Sequence, residues 1–220
     1  MRINRYIAQY TTHSRRKADA LIEAGKVLIN RKPAHVGSVV EESDIVIVDG
    51  VQLFPDKRPQ IIVLLHKPTG YVCSSAGQGT PTVYDLLPKT LHSLKIAGRL
   101  DKDSSGLVIL TNDGHLLQSL THPSNDKDKV YHVSLHKPLE DGAIAQFARG
   151  VSIGDERTSK MSVLPLAHEN TYEVTIQEGR NRQIRRSFEA LGYRVVTLHR
   201  LQLGPYELGR LAPKQYKIAT

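Results

Sequence analysis

Residues 98–114 read Gly-Arg-Leu-Asp-Lys-Asp-Ser-Ser-Gly-Leu-Val-Ile-Leu-Thr-Asn-Asp-Gly. Arg99, Asp101, Lys102 and Asp103 crowd a short connection that leads straight into an unbroken apolar run at 107–110. Gly106 precedes the run and Asn112-Asp113-Gly114 follows it, so the pattern predicts a fully buried strand with a turn at each end. A carboxylate at the mouth of a buried element loses part of its hydration, which is one way carboxylates become catalytic. The plainer alternative is a solvated turn whose Asp caps local backbone. A second group stands at 178–192, Glu-Gly-Arg-Asn-Arg-Gln-Ile-Arg-Arg-Ser-Phe-Glu-Ala-Leu-Gly. Ile184, Phe188 and Leu191 form the core face of a helix there, and Arg182, Arg185 and Arg186 fall at i, i+3 and i+4 on another face. Like charges so placed repel unless anions lie near. An internal carboxylate and an external phosphate would both serve.

These groups need elements to position them. At the N-terminus Ile3, Tyr6, Ile7 and Tyr10 share one helical face. Ser14 is the expected N-cap of a second helix from Arg15 to Ala24, ended by Gly25. Arg15, Arg16 and Lys17 crowd its first turn, where the helix dipole disfavours cations by a few tenths of a kcal/mol (roughly 0.3 or more each), which suggests that they serve a ligand. A short hairpin is expected at 26–35 and a strand at 44–50, and Phe-Pro-Asp-Lys-Arg-Pro-Gln at 54–60 reads as a linker. Beyond it, strands are expected at 61–65, 94–97, 129–136 and 172–177, with short helices at 82–87, 141–149 and around Leu116, Leu117 and Leu120, stopping at His122-Pro123. Strands with few helices favour an α+β fold on a largely antiparallel sheet.

Charge narrows the partners. The 220 residues carry 30 Lys+Arg and 22 Asp+Glu, a net charge of +8. Residues 1–35 hold eight basic residues (Arg2, Arg5, Arg15, Arg16, Lys17, Lys26, Arg31, Lys32) and two acidic ones, so +6 of the total lies there. Such a head expects a polyanion. The single cysteine, Cys73, rules out an internal disulfide and fits a reducing cytoplasm. No run approaches the roughly 20 apolar residues of a membrane span, and the charged N-terminus is unlike a signal peptide. His132 and His136 share a strand face, but two imidazoles without a third ligand are a poor metal site.

Residues 98–114 resemble the central motif of pseudouridine synthases of the RsuA/RluB type, with Ser104 where the family usually has Thr. His66-Lys67-Pro68-Thr69-Gly70-Tyr71, Lys129-Val130-Tyr131, Gln183-Ile184-Arg185 and Val196-Thr197-Leu198-His199-Arg200 extend the resemblance over nearly the whole chain. The first fifth is similar to the RNA-binding module named after ribosomal protein S-four. The resemblance implies domains at 1–53 and 61–220, with Asp101 as catalytic carboxylate, Arg185 as its ion-pair partner, and Tyr131 as ring against the base and candidate for proton transfer. It further implies Arg99, Leu198 and Arg182 at the base, and Arg2, Arg5, Arg15, Arg16, Lys17 and Lys26 at RNA phosphates. The implied substrate is ribosomal RNA, the large-subunit RNA being favoured by Glu-Gly-Arg-Asn-Arg-Gln, and the enzyme is expected to act as a cytoplasmic monomer.

Converting uridine to pseudouridine breaks a nitrogen–carbon glycosidic bond, rotates the uracil and rejoins it through carbon. Nothing is oxidised and no atom is lost, so neither metal nor organic cofactor is required. A carboxylate suits such a centre, as in glycosidases, and a close guanidinium would keep it ionised. Two other readings compete. A non-catalytic RNA-binding or ribosome-assembly protein explains the charge but not an Asp at the strand mouth with Arg available to it. A nucleoside hydrolase using Asp101 and Asp103 would want more carboxylates, often with a metal.

Overall fold

The structure is a computed structural model describing residues 1–11, 13–54, 59–122, 125–154 and 158–219. The chain divides into two compact units, Met1–Gln60 and Ile61–Thr220. Most of the linker expected at 54–60 lies outside the described residues, as does Pro123 after the third helix.

In the first unit, helix α1 (Ile3–Tyr10) buries Ile3, Tyr6 and Ile7, and α2 (Arg15–Glu23) buries Ala18, Leu21 and Ile22. Ser14 Oγ accepts from Lys17 N at 3.2 Å, so the expected cap forms. Strands β1 (Val27–Ile29), β2 (Lys32–Pro33), β3 (Val46–Val48) and β4 (Val51–Leu53) make an antiparallel sheet in the order β2-β1-β3-β4. Its two tight turns, Asn30-Arg31 (φ 50° and 65°) and Asp49-Gly50 (φ 51° and 80°), both use positive φ, which matches the twist of a two-residue hairpin. The Asp-Gly pair is the signal for β4, which the alternation at 44–50 by itself did not reveal.

Among the described residues, the second unit is built on a nine-stranded sheet. Its strands are β5 (Ile62–Lys67), β6 (Lys95–Ala97), β7 (Ser105–Thr111), β8 (Lys129–Leu135), β9 (Ser162–Pro165), β10 (Thr171–Ile176), β11 (Val195–Leu203), β12 (Tyr206–Glu207) and β13 (Tyr216–Ala219). The main order is β13-β5-β7-β11-β8-β10-β9, with β12 beside β11 and β6 beside β7. The β7–β11 pair is parallel and the other pairs described are antiparallel, so the sheet is mixed and largely antiparallel, as expected. Helices α3 (Gly114–Thr121), α4 (Ala143–Arg149) and α5 (Gln183–Glu189) pack on it. The short helix expected at 82–87 is a 3-10 turn, Val83–Leu86, and a second 3-10 turn, Lys89–Leu91, follows it.

Both faces of the sheet are covered. Val108, Leu110, Tyr131, Val133, Val174 and Leu198 face a core shared with Phe147 of α4 and Phe188 of α5, whose rings stand 4.6 Å apart. Leu64, Leu107, Ile109 and Leu203 face a second core closed by Leu120 of α3. Two-sided burial is why 107–110 carries no polar alternation. Among the described residues no helix is long and apolar enough to cross a membrane.

Candidate active site

Residues 98–104 form a loop between β6 and β7, closed by Ser104 N donating to Asp101 O at 3.1 Å. Two buried cations lie under it. Lys67, fully buried at the end of β5, donates from Nζ to the carbonyls of Ser104 (2.5 Å), Pro68 (3.0 Å) and Lys102 (3.5 Å). Arg200, 2% exposed in β11, donates from Nε to Leu107 O at 2.9 Å, from Nη1 to Arg99 O at 3.5 Å and from Nη2 to Gly98 O. A buried charge is tolerable only when its donors are satisfied, and here main-chain carbonyls of the loop and of Pro68 and Leu107 satisfy them. Burial, above all, holds the Lys67 ammonium below its ordinary range, while Cys73, Asp103 and Asp101 act in the opposite direction. Gly106 lets the parallel neighbour come close: a Cβ there would stand 2.2 Å from Arg200 O.

The loop alternates. Leu100 is buried in the core with Tyr131 and Leu198, and its N–H donates to Cys73 Sγ at 3.4 Å. Arg99 on one side of it is exposed, and Asp101 on the other keeps 36% of its side chain accessible. Anchoring Leu100 thus turns the Arg99 and Asp101 side chains outward.

Across from Asp101 lies the start of α5. Arg182 is its N-cap and takes left-handed backbone angles (φ 47°, ψ 32°), so it does not share a helix face with Arg185 and Arg186 as the spacing suggested. Such a conformation costs a non-glycine residue about 1–3 kcal/mol and persists where surrounding contacts fix it. Those contacts are buried or partly buried. Gln183 Nε2 donates to Glu178 Oε1 (2.6 Å) and Ser159 Oγ (2.9 Å), its Oε1 accepts from Arg180 N (3.1 Å), and Ser187 Oγ donates to Ser159 Oγ (2.8 Å).

The guanidiniums pair differently from expectation. Arg182 Nη1 and Nη2 donate to the two carboxylate oxygens of Asp103, each at 3.1 Å, and Nη1 stands 3.6 Å from Asp101 Oδ2. Arg185 does not pair with Asp101. Its Nε lies 3.3 Å from Asp103 Oδ2, its Nη2 donates to Asp103 O at 3.1 Å and its Nη1 to Val195 O at 3.0 Å. One turn further into the helix, Arg185 is held back by main-chain acceptors, whereas the N-cap position carries Arg182 over the loop. Arg186 turns to the carbonyls of Asn181 and Ile153. Burial pushes the Asp103 carboxyl up, but the hydrogen bonds from Arg182 and the charges of Arg185 and Arg182 outweigh it and hold it below the ordinary range. Asp103 in turn raises Arg182.

Residues 61–190 match the RNA pseudouridylate synthase family, and residues 1–46 match the S4 domain. The chain belongs to the RNA pseudouridylate synthase family. It is 37% identical over 226 residues to the ribosomal small subunit pseudouridine synthase A of Salmonella typhimurium, covering all of this chain and 96% of that protein. It is 38% identical over 205 residues to the dual-specificity RNA pseudouridine synthase RluF of Salmonella typhi, covering 92% of this chain and 70% of that one. A crystal structure of a pseudouridylate synthase superposes with a TM-score of 0.73 at 32% identity, over 100% of this chain and 96% of that chain.

Within this synthase fold the remaining expected residues are placed as follows. Tyr131, in β8, is 6% exposed and lies opposite Arg200 of β11 and Val174 of β10. Leu198, 8% exposed, lies opposite Val133 on the same core face. Among the described residues no three His, Cys, Asp or Glu side chains form a metal-ligand group. His136 Nδ1 accepts from Arg194 N at 3.0 Å, and His132 stands 3.9 Å from Glu173. In the N-terminal unit Arg2, Arg15, Arg16 and Lys17 are exposed, Arg5 is half-buried, and Lys26 pairs with Asp49 at 3.0 Å. Sequence reasoning passed over Lys67 and Arg200 as functional residues and weighed Asp103 only for a hydrolase. A charged residue inside an apolar strand pattern was the available signal for Arg200.

Proposed function

We propose that this synthase isomerises a uridine of ribosomal RNA to pseudouridine, with Asp101 as the catalytic carboxylate. The observation that carries the reading is the setting of Asp101. Its side chain is partly accessible on a loop fixed from below, with one guanidinium 3.6 Å away that gives its hydrogen bonds elsewhere. The oxygens of Asp101 are thereby available to a sugar or base.

The uridine leaves its stack at a cost of a few kcal/mol (roughly 2–4). Arg99, exposed beside Asp101, holds the vacated space in the RNA. Leu198 and the Tyr131 ring support the extruded uracil from the core side, and Asp101 acts at the glycosidic carbon as the bond to nitrogen breaks. After the base rejoins through carbon, the proton on that carbon must leave, and Tyr131 is the group of this chain assigned to take it. No step requires a metal or an organic cofactor.

The exposed Arg2, Arg15, Arg16 and Lys17, together with Arg5 and Lys26, contribute phosphate contacts that position RNA without reading its sequence. The enzyme works as a cytoplasmic monomer. The wording of 178–183 favours the large-subunit RNA, whereas the relatives matched end to end carry a small-subunit name. Mapping pseudouridines in both ribosomal RNAs from cells with and without the protein tests the reading. Loss of one modified position is expected, and an unchanged map would overturn it.

A further inference from the structure

We propose that Asp103 is a positioning residue for this reaction: it draws the hydrogen bonds of Arg182 onto itself and so leaves the oxygens of Asp101 uncapped. The inference rests on Asp101 being the catalytic carboxylate. Arg182 has two carboxylates within reach and divides itself unequally between them. Both terminal nitrogens go to Asp103 in a fork at 3.1 Å, the geometry in which guanidinium and carboxylate bind best, and Asp101 receives only proximity at 3.6 Å. Arg185 adds its Nε at 3.3 Å to the same Asp103 oxygen, so one anion serves two cations. The left-handed N-cap backbone of Arg182 and the buried Gln183–Ser159–Ser187 contacts behind it hold the helix end where this division is possible.

A stability role predicts something different. Asp103 keeps 48% of its side chain accessible, and an exposed ion pair contributes little to folding. If Asp103 only tied the loop to α5, removing its charge would leave turnover nearly intact. If it sets where Arg182 points, removing its charge frees the guanidinium to form its fork with Asp101, capping the oxygens the reaction needs.

The test is Asp103→Asn, a near-isosteric change that leaves the main-chain carbonyl contact with Arg185 in place. With an rRNA fragment as substrate, kcat is expected to fall about 10- to 100-fold while KM changes less than about threefold and the melting temperature stays within a few degrees (roughly 3 °C). Asp103→Glu, which restores the charge, is expected to recover most of kcat. In an Arg182→Ala background Asp103→Asn is expected to cost almost nothing further, because the group it positions is gone. Wild-type kcat in Asp103→Asn, or losses that multiply in the double variant, would overturn the proposal. Asp101→Asn is measured alongside. If it is inactive while Asp103→Asn turns over normally, the positioning role fails and the catalytic assignment stands; if Asp101→Asn itself retains turnover, both fall.

Discussion

Arg182 stands 3.6 Å from Asp101 yet gives its paired hydrogen bonds to Asp103. The cation nearest the proposed catalytic carboxylate is therefore an N-cap residue, and Arg185 is a neighbour once removed. Arg182→Ala is expected to lower kcat about 100-fold with little effect on folding, since the side chain is 44% accessible. Arg185→Ala, which also removes the donor to Val195 O, is expected to lower kcat less and the melting temperature more. Single-turnover kinetics and thermal denaturation of the two variants separate these effects, and the reverse ranking would return Arg185 to the role that the resemblance implied.

Asp101→Asn keeps the shape of the loop and removes the charge. Product formation, followed by release of label from carbon 5 of uridine, is expected to vanish while affinity for ribosomal RNA stays within severalfold (roughly threefold), as phosphate contacts dominate binding.

Arg200 ties Gly98, Arg99 and Leu107 to β11 from inside the protein. Arg200→Met removes the donor from these carbonyls, and the buried Leu107 O left unpaired costs about 1–3 kcal/mol. The urea midpoint is expected to fall clearly, and kcat with it, because Asp101 sits in the loop so held. Gly106→Ala drives a methyl to 2.2 Å from Arg200 O at φ +110° and is expected to destabilise by about 3 kcal/mol or more. Unfolding curves that overlay the wild type would show that the loop has another anchor.

Salt reports on the basic head. With Arg15→Ala and Lys17→Ala together, RNA affinity is expected to fall and the slope of log K against log salt to lessen by about 1–2, as each lost phosphate contact removes roughly one counterion. Titrations at several salt concentrations give the slope directly, and an unchanged slope would move the RNA contact elsewhere.

On the face of the sheet away from Leu198, the His199 ring stands 5.1 Å from that of His66, faces His132 in register, and places Nδ1 2.8 Å from Ser105 Oγ. Burial, then His66 and His132, hold its pKa below the unfolded value of 6.5. The native state thus binds fewer protons than the unfolded chain as pH drops below 6.5, so stability is full above that pH and declines towards acid. Melting temperatures between about pH 7.5 and 5.5 are expected to fall, and His199→Gln is expected to flatten the decline.

Much of this protein is local and therefore legible in residue order. The period of Ile3, Tyr6 and Ile7, the Ser14 cap, the unbroken 107–110 run and the strand at 172–177 each depend on neighbours a few positions away, and each forms as read. The motif around Asp101 pointed to the family for the same reason: its residues are contiguous. The pairing of charges is not local. Whether Arg182 or Arg185 meets Asp101 turns on the single left-handed residue at the start of α5 and on which main-chain carbonyls claim each guanidinium first. Spacing along an ideal helix puts the two arginines on one face, and only the folded chain reveals that the helix begins between them. The burial of Lys67 and Arg200 has the same origin. A cation belongs inside only when carbonyls from distant segments converge on it, and that convergence exists nowhere in the sequence.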